Sequence, residues 1–168
     1  REKEKEIGQY IATENIKKVL LTYGSERIKK DGLFDIVTAS LEENGIEFVE
    51  LGGIVSNPVL SKVYEAVDLA KEHSVEAILS VGGGSVLDSS KAIAAGSLFD
   101  GDVWDFFIGK SVIEKALPVF DIITLAATGS EMNTFAVVTN EATKQKYSIA
   151  SPYLYPKVSV INPELQKS

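Results

Sequence analysis

Short apolar runs alternate with longer amphipathic stretches along most of the 168 residues. Five runs read as strands: 18–22 (KVLLT), 47–51 (EFVEL), 77–81 (AILSV), 120–125 (FDIITL) and 158–161 (VSVI). Most are rich in Val, Ile and Leu with little polar alternation, the pattern of a strand covered on both faces. The stretches 3–13, 32–43, 58–72 and 85–97 carry apolar residues at helical spacing. In 58–72, Leu60, Val63, Tyr64, Val67 and Ala70 form one stripe, opposite Lys62, Glu65 and Glu72. Pro58 is expected in the first turn of that helix, where its missing N–H removes no bond.

The period changes between 134 and 151, where the extended runs FAVVTN and KYSIAS flank polar EATKQ, the signature of a β-hairpin. Strands alternating with helices predict an α/β fold: a Rossmann-like, doubly wound, mainly parallel sheet with helices on both faces and a small β-hairpin. No repeat or linker-like tract interrupts the chain, so residues 1–168 read as one domain. An open sheet edge could pair with a second copy, giving a homo-oligomer.

Charge and composition narrow the function. Acidic residues outnumber basic ones 24 to 17, a formal net charge of −7 that opposes nucleic acid and anionic membranes as partners. No apolar run is long enough to cross a bilayer. The absence of Cys excludes disulfides, thiolate metal sites and a thiol nucleophile, and fits a reducing compartment, by default the cytoplasm. One histidine, His73, leaves little material for a transition-metal site or a His-based triad. The chain begins at Arg1 rather than Met and stops soon after VSVINP, and so reads as an excised piece.

The candidate chemistry concentrates at strand ends. In 75–96, a buried strand runs through three glycines and Ser85 into an Ala-rich helix. Glycine lets backbone approach a ligand closely, and the following helix start offers unpaired N–H groups and a positive dipole end. Gly83, Gly84 and Ser85 therefore form a candidate pyrophosphate cradle, although the spacing is not G-x-G-x-x-G. The bland alternative is a tight turn with Ser85 and Asp88 as a capping box. Asp88 could cap or point into the cleft, and Lys91 reads as its structural partner.

At the end of the first strand, TYGSERIKKDG is the expected adenosine-ribose end of the site. Gly24 occupies the position where an NAD-selective carboxylate would bind the 2′-hydroxyl. Ser25 and Arg27 could instead receive a 2′-phosphate, with Lys29 and Lys30 adding positive potential, so NADP(H) is favoured over NAD(H). Glu26 offers a carboxylate that could reach the ribose hydroxyls, and the whole turn could equally be solvated. A third turn follows at 124–133, where Thr124, Thr128 and Ser130 supply hydroxyls for phosphate or ribose; Thr128 and Glu131 alone could be another capping box.

GGGSVLDSSK at 82–91 followed by ATGSEMN at 127–133 resembles the paired signatures of the iron-containing, or group III, alcohol dehydrogenases. VSNP at 55–58 and YPKVSVINPEL at 155–165 are similar to that family too, and the first turn looks most like its NADPH-dependent butanol dehydrogenase and aldehyde reductase branch. The resemblance implies pyrophosphate contacts from Gly83, Gly84 and Ser85, with Asp88 near the nicotinamide. It further implies cofactor contacts from Asn57, Thr124, Leu125 and Thr128, and from Lys146, which by itself looks like a solvated hairpin lysine. In such enzymes Fe²⁺ or Zn²⁺, held by a separate helical domain, polarises a small alcohol or aldehyde while hydride passes to or from the nicotinamide. The chain matches none of those metal ligands; alone, it is expected to bind dinucleotide weakly and turn over no alcohol. The competing readings are a nucleotide-binding module without catalysis and a glycerol dehydrogenase-like or dehydroquinate synthase-like relative.

Overall fold

In a computed structural model that describes residues 3–124 and 133–161, five of the strands lie side by side in one parallel sheet. They are β1 (Lys18–Tyr23), β2 (Glu47–Leu51), β3 (Ala77–Gly82), β4 (Val119–Ile123) and β7 (Val158–Ile161), in the order β2-β1-β3-β4-β7. β1 and β3 are buried almost throughout, as their unbroken apolar runs require, whereas edge strand β2 stays half open.

The helices are α1 (Ile7–Thr13), α2 (Arg27–Lys30), α3 (Leu33–Glu43), α4 (Leu60–His73), α5 (Gly84–Ser97) and α6 (Trp104–Phe107). α1, α2 and α3 cover one face of the sheet, through Ile7, Ile11, Ile28, Val37 and Leu41 against Val19, Leu21, Leu79 and Phe120. α4 and α5 cover the other, where Val63, Val67, Leu87 and Ile93 pack over Leu20, Ile78 and Val119. Removing these side chains from water is the main force holding the two layers on the sheet. An antiparallel pair, β5 (Phe135–Asn140) and β6 (Gln145–Ala150), lies over α5 and buries Ala136, Val138 and Ile149. The doubly wound α/β expectation and the hairpin are both present.

Several boundaries shift by a single residue, and a few differ from expectation in ways that matter. Residues 3–6 form a 3₁₀ turn before α1. β4 stops at Ile123, with the Thr124 N–H still bonded to the Gly82 carbonyl at 3.1 Å just past the strand end. Pro58 is not in the first turn of α4: Val59 is the extended N-cap, and the Pro58 carbonyl accepts from Thr139 N–H of the hairpin at 2.8 Å. The α4 stripe buries Leu60, Val63, Ala66, Val67 and Ala70, while Tyr64 packs half-buried against the same cluster and donates to Asp102 Oδ1 at 2.7 Å.

Candidate functional site

The strand order reverses direction between β1 and β3: the chain leaves β1 for β2 on one side and leaves β3 for β4 and β7 on the other. The crevice outside the carboxyl ends of two such strands is where open α/β sheets bind ligands. Three turns meet there. Gly24 follows β1, Gly83 and Gly84 follow β3, and Thr124 follows β4.

α5 begins at this edge. Gly83 is its N-cap, in extended conformation (φ −90°, ψ −167°), and no side chain caps it. The first-turn N–H groups of a helix have no intrahelical partner, so an uncapped start of a 14-residue helix presents a set of donors with a positive dipole end. The capping box of Ser85 and Asp88 is not formed. Ser85 lies inside the first turn and its hydroxyl donates to the Ser56 carbonyl, tying the helix start to the β2–α4 loop beside Asn57. Asp88 Oδ2 accepts from Val137 N–H of the hairpin at 3.2 Å.

Gly24 shows why this turn carries no side chain. A Cβ built there would lie 3.1 Å from the Ile54 carbonyl and 3.8 Å from Val86, so β1, the β2–α4 loop and α5 meet with no room to spare. Gly53 N–H also bonds the Gly24 carbonyl at 2.6 Å. Leu125 and Thr128, together with Ser130 and Glu131, lie outside the described residues.

The first turn is more occupied than its sequence suggests. Residues 27–30 are helical, and Ser25 Oγ accepts from Arg27 N–H at 3.3 Å. Lys29 Nζ donates to Glu50 Oε1 at 3.0 Å and sits 3.3 Å from Glu26, above the rings of Phe34 and Tyr23. Tyr23 donates to the same Glu50 oxygen at 2.6 Å. That hydrogen bond holds the Glu50 carboxyl below the ordinary carboxylate range. The Glu50 carboxylate in turn pushes the Lys29 ammonium above its ordinary value. Burial, then Glu50, pushes the Tyr23 hydroxyl up to about 12. Sequence reasoning missed Glu50, whose only signal was its place at the carboxyl end of β2.

Lys91 is wholly buried, and its ammonium donates to the Asn133 carbonyl (3.0 Å), Asn133 Oδ1 (3.0 Å) and the Phe135 carbonyl (3.1 Å). It therefore anchors the entry to β5. Lys146 is exposed on β6, directly opposite Thr139. Through the Thr139–Pro58 hydrogen bond and the Val59–Thr139 bridge it is tied to the segment holding Asn57. His73 ends α4, half-exposed and 3.5 Å from Glu72. Among the described residues no group of three or more His, Cys, Asp or Glu is arranged to hold a metal, and no helix is long and apolar enough to cross a membrane.

An uncapped helix start beside two glycine turns at the switch point of a doubly wound sheet marks an α/β unit of the open-sheet, ligand-binding architecture. Family comparison agrees, since the profile "Iron-containing alcohol dehydrogenase" matches residues 1–163. The chain belongs to that family. It is 48% identical over 148 residues to the "Probable NADH-dependent butanol dehydrogenase 2" of Bacillus subtilis, a match covering 88% of this chain and 38% of the relative. It is 38% identical over 149 residues to the "NADPH-dependent aldehyde reductase YqhD" of Escherichia coli, covering 87% and 38%. Among solved structures, "NADH-dependent butanol dehydrogenase A" from Thermotoga maritima superimposes with a TM-score of 0.97 at 58% identity, over 99% of this chain and 42% of that one. The chain thus spans about two fifths of the length of these relatives.

Proposed function

We propose that this chain supplies the nicotinamide-dinucleotide site of an alcohol dehydrogenase or aldehyde reductase acting on small alcohols and aldehydes such as butanol and butanal. The observation that carries the reading is the uncapped start of α5 after Gly83, at the β1/β3 switch point. Its first-turn amides would bind the pyrophosphate, with Ser85 fixed in place by Ser56. Gly24 would stand at the adenosine-ribose end of the site; Asn57 and Thr124 would flank the crevice, and Leu125 and Thr128, which follow Thr124 in sequence, would add further contacts. Asp88, braced against the hairpin through Val137, would stand beside the nicotinamide, and the Lys146 ammonium would meet the neighbouring ribose.

When bound, the nicotinamide supplies hydride transfer at its C4 atom. The chain's own residues hold that ring at a fixed orientation, which lowers the entropic cost of bringing cofactor and substrate together. The described residues do not fit a metal ion, so no step through the family's metal is assigned to them. We take residues 1–168 as a single dinucleotide-binding domain, and the metal ligands as belonging to the family's helical domain. The lack of Cys supports a reducing compartment, the cytoplasm.

Cofactor preference turns on the charge at the first turn. The expectation of NADP(H) needs Ser25, Arg27, Lys29 and Lys30 free to receive a 2′-phosphate. With Lys29 held between Glu50 and Glu26, and Arg27 3.9 Å from Asp31, three carboxylates oppose three cations and no net positive field remains. That balance, with NADH in the names of relatives 43–48% identical, supports NAD(H) as the working cofactor, a revision of the sequence-based expectation. The test is butanal reduction by the intact protein with each cofactor. A higher kcat/KM with NADH is expected; a higher value with NADPH would overturn the preference, and consumption of neither cofactor would overturn the function.

A further inference from the structure

The hairpin β5–β6 is outside the main sheet, yet it carries Lys146, so whatever fixes the hairpin fixes that lysine. Its entry is held by Lys91 and its middle by Asp88, both from α5. Its far end is held by a different element. Thr139 N–H donates to the Pro58 carbonyl at 2.8 Å, and Val59 and Thr139 form a β-bridge. Just beyond, at the turn, Glu141 Oε1 accepts from Ser61 N–H at 3.3 Å and its Oε2 from the Ser61 hydroxyl.

This second contact completes the start of α4. The N-cap of that helix is Val59, which has no side-chain acceptor; the Val59 carbonyl serves the Lys62 N–H at 3.2 Å, and the Ser61 N–H before it has no local cap. Glu141, 80 residues further along, supplies the missing acceptor and a negative charge at the positive end of the helix. Its carboxyl is held below the usual range, chiefly by the Ser61 hydroxyl.

Register makes the clasp functional. The residue opposite Thr139 across the hairpin is Lys146, and the residue before Pro58 is Asn57. Two candidate cofactor contacts, 89 positions apart by numbering (146 − 57), are thus joined through one short stretch of backbone stitched shut by Glu141 and Ser61. We infer that Glu141 is a positioning residue for the cofactor: by clasping the hairpin to the start of α4, it sets Lys146 against Asn57 so that both grip the nicotinamide-side ribose. The inference rests on the dinucleotide reading above. It assigns Glu141 no contact with cofactor or substrate.

The experiment is a comparison of Glu141→Ala, Glu141→Gln and Ser61→Ala in the intact protein, measuring KM and kcat with NADH, the dissociation constant of NADH and the melting temperature. Glu141→Ala is expected to raise the NADH KM and dissociation constant about tenfold, the equivalent of ~1.4 kcal/mol, with kcat at saturation changing less than about threefold. Glu141→Gln keeps an acceptor for the Ser61 N–H and is expected to restore most of the affinity. Ser61→Ala, which keeps the backbone donor, is expected to fall between them. A plain helix cap would lower the melting temperature of Glu141→Ala and leave the NADH constants alone, and that result overturns the inference. So does a failure of Glu141→Gln to recover affinity. A wild-type protein that binds no dinucleotide would overturn the underlying reading instead, which keeps the two failures apart.

The lone tryptophan gives an independent readout. Trp104 stacks on Tyr147, the neighbour of Lys146, with ring centroids 5.7 Å apart and planes 12° from parallel. Loosening the clasp in Glu141→Ala is expected to alter Trp104 emission, and Glu141→Gln to restore it. Identical emission in all three proteins would contradict a hairpin that moves.

Discussion

Replacing Lys91 by Met removes an ammonium while nearly preserving the shape of the side chain. In the wild type that ammonium is wholly buried and satisfies two backbone carbonyls and one side-chain oxygen. Burying the charge costs several kcal/mol, which the substitution relieves. It also strands its acceptors. Asn133 Oδ1 keeps the Phe135 N–H at 3.0 Å, so the carbonyls of Asn133 and Phe135 carry the loss. At ~1–3 kcal/mol for each stranded carbonyl the loss is about 2–6 kcal/mol before the relieved desolvation is subtracted, an upper bound on the net destabilisation. For a chain of this length that bound corresponds to a fall in melting temperature of up to roughly 24 °C, readable by circular dichroism or calorimetry. Dinucleotide affinity should fall as well, because Asn133 leads directly out of the segment that carries Leu125 and Thr128. A Lys91→Met variant melting within about 2 °C of wild type would refute the reasoning, since it would mean that the three contacts are balanced by the desolvation they offset.

Further outcomes follow from the same contacts. Phe120→Ala, at a fully buried position in β4, should cost ~3–5 kcal/mol in a denaturant titration, and a loss below about 1 kcal/mol would contradict the packing described. Glu50 is held below its ordinary pKa, so its stabilising effect is present above the unfolded value of about 4.3 and is lost as pH falls through the lower folded value. Wild type and Glu50→Gln should therefore differ in stability near neutrality and converge in acid; a difference that widens toward low pH would reverse the sign and defeat the assignment. Tyr23 has the opposite dependence. Its hydroxyl is raised to about 12, so its contribution is present below pH ~10 and fades between about 10 and 12, a decline that Tyr23→Phe should abolish in alkaline melts.

The sheet was legible in the sequence because a parallel strand buried on both faces reads as a nearly continuous apolar run, as β1 and β3 do with Thr22 and Ser80 as their buried polar exceptions. α2 and α6 were not, since four residues are too few to display a helical period. The glycine turn before α5 was legible for a similar reason: close backbone approach demands residues of one kind, and Gly83 and Gly84 advertise it. Polar side chains advertise nothing of the sort. Ser85 and Asp88 have the spacing of a capping box, but each finds a partner far along the chain, in Ser56 and Val137. Glu50 meets Lys29 across 21 positions and Glu141 meets Ser61 across 80, contacts that exist only once the layers are assembled. The expected freedom of Lys29, on which the NADP(H) preference depends, gives way to such a contact.

The central claim is that the start of α5 binds a nicotinamide dinucleotide, and calorimetric titration of NADH and NADPH into wild type and Gly84→Val tests it most directly. The account predicts that wild type binds NADH more tightly than NADPH, and that a side chain at the first helical position of α5 abolishes binding while the melting temperature moves little. Equal NADH affinity in the two proteins would contradict it, because the cofactor would then have to sit somewhere other than at that helix start.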